Sequence, residues 1–436
     1  MYHDLAPQEF YSSCQSIDLA ARLRMEVSGK VCVITAVFGE EDSSGDGRYI
    51  CLSEMLAYVQ EQDYSYAVCF RGTSYDDLLR GNGFLPLPEM PDCYIVDMRK
   101  PTVFIFDTPS FIKSQFSNAA RIHATMWESH KKLRLQAASL FPGQLVLYFY
   151  SEILNYRLIK LIMQNNPAIN APAGRKKLGK NICVPFGKTL KGILIPECVT
   201  KDLHTEKLYD IDMEHFTIKE FPHFAPMEIQ IRTIKSFMRP VILVDDLYHK
   251  GYRLKAVEES MQKEGIQPAR LIVGILSGRG SDLAHIQNEP IESVYFVPNM
   301  RSWMIESDLY PFIGGDGIRV KEQIHSSPSL PSVNSILPYQ FPSFMKGASM
   351  NGFYHLSVQC LENARDIFRV LERLYQDKYG RKLTMARIGE ILAEPRHPDT
   401  CILDTSVVQE APSILLEREM QKLHRMKHLL DGDFRF

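Results

Sequence analysis

Residues 241–253 read Val241-Ile242-Leu243-Val244-Asp245-Asp246-Leu247-Tyr248-His249-Lys250-Gly251-Tyr252-Arg253. An unbroken apolar run of this kind predicts a strand buried on both faces. The two acids mark its exit, Gly251 permits a turn, and Leu254, Val257 and Met261 then recur at helical spacing. In an open parallel sheet, ligands bind in the crevice at the carboxyl ends of the strands, and backbone N–H groups opening a helix favour an anion. Carboxylates beside an anion cradle suit a phosphorylated sugar: the acids take ribose hydroxyls or a metal, and the turn takes the phosphate. Asp-Asp also occurs as a plain strand exit that charges a helix N-terminus, so the surrounding order of elements has to decide.

That order alternates. Strands are expected at 145–150, 182–185, 192–196, 216–220, 241–244, 271–276 and 293–297, with helices at 153–163, 227–237, 254–264 and 281–287. Strand and helix in turn predict βαβ units, hence an α/β fold around a central parallel sheet. Upstream, strands at 31–38, 66–70, 94–98 and 103–106 and a helix at 52–60 outline a smaller α/β unit. A helix over 114–140, with Ile122, Met126, Leu133, Ala137 and Leu140 on one stripe, would join the two. Four prolines among serines in 325–345 predict an extended linker, and helical periodicity returns at 356–375, 385–392 and 414–430. The expected plan is therefore an α/β domain at 1–110, a connecting helix at 111–143, the sheet domain at 144–324, a linker at 325–345 and a helical region at 346–436. The C-terminal helices are the expected homodimer surface.

Composition narrows the function classes. The chain has 436 residues, 45% of them apolar, enough for ordinary cores. Fifty basic against 52 acidic residues leave a formal charge of −2, so no global field recruits nucleic acid or an anionic membrane. Nine cysteines are scattered without a C-x-x-C pair, and Cys32, Cys69 and Cys183 sit in apolar runs as small core residues do. Neither a disulfide framework nor a zinc ribbon is indicated, and a reducing cytoplasm is the simplest compartment. The start, Met1-Tyr2-His3-Asp4, lacks signal-peptide character. The apolar runs fall well short of the roughly 18 residues of a membrane span.

The stretch 241–253 resembles the 5-phosphoribosyl-1-pyrophosphate (PRPP) signature of type I phosphoribosyltransferases, a hydrophobic strand running into two acids and a short turn. With the element order around it, the resemblance covers about 180 residues, of which only 241–253 is specific. It implies a sheet of phosphoribosyltransferase type, Mg²⁺ with PRPP as co-substrate, and transfer of the phosphoribosyl group to an acceptor. Asp245 and Asp246 would act on the ribose, and Lys201 and Lys207, in a loop upstream, on the leaving diphosphate together with His204. His249, Lys250, Gly251, Tyr252 and Arg253 would bind the 5-phosphate, and Arg279, in Ser277-Gly278-Arg279-Gly280, or Trp303 the acceptor. No residue is assigned as a dedicated metal ligand. The sequence departs from the signature where small hydroxyls and a second glycine belong, since long cations hold phosphate from further out. That departure supports an alternative, a nucleotide-sensing or assembly protein that keeps the fold without turnover.

Two fainter resemblances complete the reading. The N-terminal unit is similar in element order to acyl-CoA-dependent N-acetyltransferases, though it has no Gly motif for a pyrophosphate. The middle and C-terminal parts resemble bacterial proteins labelled cytidyltransferase-related, yet the H-x-G-H type motif of nucleotidyl transfer is missing from the chain.

Overall fold

The computed structural model describes residues 8–14, 19–28, 30–39, 47–70, 76–168, 177–319, 329–340, 345, 347–398 and 408–430. The chain forms two compact units, one of residues Tyr150–Met300 and the other of Met1–Phe149 together with Arg301–Phe436. Both are α/β.

The unit of 150–300 is built on five parallel strands: β1 (Ile182–Pro185), β2 (Val199–Thr200), β5 (Val241–Tyr248), β6 (Pro268–Ser277) and β7 (Ile291–Val297). An antiparallel hairpin, β3 (Thr205–Tyr209) and β4 (Phe216–Glu220), lies between β2 and β5 in the chain. The helices are α1 (Ser151–Asn165), α2 (Met227–Ser236), α3 (Tyr252–Lys263) and α4 (Gly278–Gln287). Strand order in the sheet is β7-β6-β5-β1-β2. Alternate residues of β1, β5 and β6 (Ile182, Val184, Val241, Leu243, Leu271, Val273) share one core with Ile231 and Ile234 of α2 and Leu254, Val257 and Met261 of α3. On the opposite face α1 packs so closely that a Cβ on Gly274 would stand 2.9 Å from Leu154. Helices on both faces explain why β5 reads as a continuous apolar run.

The other unit carries a sheet in which Gln8–Cys14, Leu19–Ser28 and Val31–Gly39 form an antiparallel series. Helix Gly47–Glu61 crosses to the parallel strand Tyr66–Phe70, which pairs antiparallel with Met90–Phe106. Gln144–Tyr150 and Ser302–Ile305 also pair with Met90–Phe106. Helix Met350–Tyr379 packs against Ala120–Ser139 and Pro412–Leu430.

Several expected elements differ from those observed. The strand expected at 241–244 runs on to Tyr248, so the acidic pair lies within it rather than at its exit. Pairing with β6 up to Tyr248↔Leu276 holds the extra residues. The strand expected at 192–196 is a series of turns, in which Leu190 and Gly192 have φ of 61° and 71° and reverse the chain. The strands expected at 94–98 and 103–106 are one, Met90–Phe106. The helix over 114–140 breaks into Ser114–Ser117 and Ala120–Ser139, and 385–392 is a 3-10 helix over Met385–Glu390. The stretch 325–345 carries a strand, Leu330–Val333, among its described residues, while 325–328 and 341–344 lie outside them.

Candidate functional site

Strand β1 ends at Pro185, opposite Val244, whereas β6 accompanies β5 to its last residue. Asp245 and Asp246 therefore occupy the first positions of β5 from which one neighbouring strand has departed. After β1 the sheet grows in both directions, to β2 on one side and to β5 on the other. The crevice between β1 and β5 is thus a topological switch point, the place where open parallel sheets bind ligands.

Both carboxylates are buried, Asp245 at 3% and Asp246 at 5% exposure. Arg253, in the first turn of α3, reaches back and donates from Nη1 to Oδ1 of Asp245 at 2.9 Å and to Oδ1 of Asp246 at 3.1 Å. The backbone N–H of Asp246 donates to Asp245 Oδ1 at 2.9 Å, and that of Leu247 to Asp246 Oδ1 at 3.1 Å. Burial drives the Asp245 carboxyl well above the usual range, against the pull of Arg253 and with a push from Asp246. For Asp246 burial acts in the same sense, but Arg253, the hydrogen bond from Asp245 and the charge of Lys188 outweigh it and hold the carboxyl low. Two buried acids that share one guanidinium are thus pushed apart, Asp245 upward and Asp246 downward.

The floor is Gly187, just past the end of β1. A Cβ there would stand 2.1 Å from Asp245 Oδ1 and 2.8 Å from Asp246 Oδ1, so only glycine fits. The Phe186 N–H donates to Val244 O at 3.0 Å and Thr205 Oγ1 donates to Phe186 O at 2.9 Å, which fixes this exit loop from both sides. Sequence reasoning passed over Gly187 and Lys188, although Gly187-Lys188-Thr189 after a buried strand was a usable signal.

The turn after β5 is built as the sequence implies. Gly251 has φ of 69°, a conformation that favours glycine, and caps α3. His249 Nδ1 lies 2.7 Å from Ser277 Oγ, which accepts from Gly280 N–H at 3.0 Å. Burial, together with the charges of Lys250 and Arg279, keeps the His249 imidazole below its usual value and so neutral at pH 7. Lys250 is exposed, and so is Arg279, in the first turn of α4. The glycines flanking it serve close packing: a Cβ on Gly278 would stand 2.0 Å from Pro298 O, and one on Gly280 2.5 Å from Tyr248 O.

The segment expected as a loop upstream is partly strand, Val199–Thr200 and Thr205–Tyr209. Lys201 N–H donates to Cys183 O at 3.0 Å and Leu203 N–H to Pro185 O at 2.8 Å, so this segment follows β1 to the rim. His204 is fixed by its ring on Phe224, with centroids 3.7 Å apart, and by its N–H to Gln230 Oε1 at 2.9 Å. Lys207 Nζ donates to the Tyr209 hydroxyl and stands 4.6 Å from the centre of the Phe216 ring. Tyr252, 55% exposed, meets Phe216 edge-on at 5.6 Å, so the hairpin leans on the start of α3. Within this unit the structure thus brings together Asp245, Asp246, His249, Lys250, Gly251, Tyr252 and Arg253 with the hairpin that carries Lys207. Trp303 lies in the other unit, in strand Ser302–Ile305.

No protein-family model matches the chain, and no curated protein does. Among solved structures, a purine phosphoribosyltransferase from Pyrococcus horikoshii Ot3 is similar at 14% identity and a TM-score of 0.23, over 36% of this chain and 87% of that one. The AQ2163 protein from Aquifex aeolicus is similar at 12% identity and a TM-score of 0.22, over 42% of this chain and 82% of that one.

Proposed function

We propose that the unit of residues 150–300 binds PRPP or a related ribose phosphate with Mg²⁺ and transfers the phosphoribosyl group to an acceptor. The observation that carries this reading is the buried pair Asp245 and Asp246 at the switch point of a parallel sheet, separated by four residues from the glycine that caps the next helix. The carboxylates would take the ribose hydroxyls and steady positive charge developing at the anomeric carbon. The N–H groups of the turn, with Lys250 and Lys188, would take phosphate.

The donor chemistry suits magnesium. Mg²⁺ is commonly held by one or two carboxylates together with substrate phosphates, and among the described residues no group of three or more His, Cys, Asp or Glu forms a cage for an ion. Asp245 and Asp246 would hold it. Its contribution when bound would be to neutralise diphosphate charge.

One observation favours a second reading, a nucleotide-sensing or assembly protein without turnover. Arg253 already occupies an oxygen of each aspartate, so a ligand has to displace or share that guanidinium. Calorimetry with PRPP and Mg²⁺ tests the site: Asp245→Asn combined with Asp246→Asn should weaken binding at least tenfold, about 1.4 kcal/mol. Unchanged affinity in a folded double variant excludes the proposal. Pyrophosphate release on adding candidate acceptors separates the enzyme from the sensor.

A further inference from the structure

A second group of reactive side chains lies beneath the site, where α1 ends against β1. Asn166 follows α1 and is 2% exposed. Its side-chain oxygen accepts the Asn181 N–H at 2.9 Å, and Nδ2 donates to Asn181 O at 3.1 Å. These bonds fix the amide plane and leave the second N–H of Nδ2 aimed at two sulfurs. Cys198 Sγ is 3.3 Å away and Cys183 Sγ 3.9 Å. Gly179 packs so tightly on the amide that a Cβ there would stand 2.4 Å from it, so the amide cannot turn away. Cys183 is fully buried in β1, and the same amide nitrogen reaches both sulfurs. Cys198 is half-buried, between exposed Glu197 and strand β2.

A fixed amide donor shared by two neighbouring sulfurs, closer to Cys198 than to Cys183, is an arrangement that stabilises a thiolate at Cys198. We propose that Cys198 and Cys183 are a peroxide-reactive dithiol that closes to a disulfide, a modification site on the strand that leads to Gly187. The neighbouring Cys183 thiol lowers the Cys198 thiol to about 7, with Asn166 adding to the effect and burial and Glu197 opposing it. An ordinary cysteine thiol titrates near 8.5, so Cys198 is the more readily ionised of the two. The Cys198 sulfur attacks a hydroperoxide, the O–O bond breaks, and the leaving oxygen departs as hydroxide or alkoxide, giving a sulfenic acid. The Cys183 sulfur then attacks Cys198, the S–O bond breaks, and the Cys183 proton leaves with the hydroxyl as water. The two sulfurs supply the two electrons that reduce the peroxide. Nothing in this step depends on a ligand at Asp245 and Asp246.

The full chain is exposed to hydrogen peroxide, alkylated, digested without reductant and read by mass spectrometry. The expected product is a peptide pair joined through Cys183 and Cys198 and released by dithiothreitol. Cys183→Ser should halt the sequence at a Cys198 sulfenic acid that dimedone traps. Asn166→Ala tests the positioning residue: the pH dependence of Cys198 alkylation should move to higher pH than in the wild type, toward the ordinary thiol value. Cys198 still fully alkylatable after peroxide, or a bond from Cys198 to any cysteine but Cys183, overturns the proposal. The wild-type cross-link decides the matter even if a variant fails to fold.

Discussion

Gly187 and Asp245 approach so closely that a methyl group on the glycine would stand 2.1 Å from the carboxylate oxygen. The floor of the crevice is therefore backbone, and the acids rest on it. Gly187→Ala should push Asp245 out of reach of Arg253 and cost about 1–3 kcal/mol, as overpacking does. Urea unfolding measures the cost, and an unchanged midpoint would show that the floor yields.

Arg253 is the guanidinium that the structure gives to both aspartates, and its side chain is only 24% exposed. Arg253→Met leaves two buried acids without it and should destabilise the fold by about 2–3 kcal/mol at pH 7, somewhat below the cost of breaking a fully buried pair. The sign with pH follows from Asp246. Its carboxyl is held below its unfolded value, so the stabilisation exists above about pH 4 and disappears as pH falls further. The gap between wild type and variant should narrow between pH 7 and pH 3, read by unfolding at each pH.

Glu258 of α3 behaves in the opposite sense. Burial, then the charge of Glu289, raise its carboxyl to about 7. A raised acid favours the folded state below its unfolded value, near 4.3, and loses that advantage as pH rises through 7. Glu258→Gln should therefore stabilise the protein at pH 8 by about 1–2 kcal/mol after allowance for solvent screening. Near pH 4 the gain should vanish. A gain that is constant across this range in chemical denaturation would mean that Glu258 does not titrate as described.

Gly278 opens α4 with a Cβ position 2.0 Å from Pro298 O, an obstruction of backbone rather than of a flexible side chain. Gly278→Ala should lower stability by more than about 2 kcal/mol. By contrast, Gly265→Ala meets no atom within 4 Å, and its cost should be confined to the strain of φ at 72°. Thermal melts of the two variants compare obstruction with strain directly.

The α/β class and the parallel sheet were legible because buried strands such as 182–185 and 241–244 and amphipathic helices such as 227–236 announce themselves by period. The extension of β5 through Asp245 and Asp246 was not, since acids are poor strand formers and only pairing with β6 holds them extended. Ile193 and Ile195 alternate like a strand, yet the chain around them turns through Leu190 and Gly192. The close dependence of the acids on Gly187 could not be read from spacing, because Gly187 and Asp245 are 58 residues apart and meet only through the β1–β5 pairing. Trp303 follows β7 closely in the chain and lies in strand Ser302–Ile305 of the other unit. No local residue signals that the chain changes unit at Arg301.

Strands Gln144–Tyr150 and Ser302–Ile305 both neighbour Met90–Phe106, and the intervening segment is a compact body of its own. During synthesis, then, the last strand cannot reach its place until everything between has been made. Closing so long a flexible span would be entropically costly, and prior collapse of the insert shortens it. Completion of the host sheet therefore waits on synthesis of the insert, whichever of the two folds first.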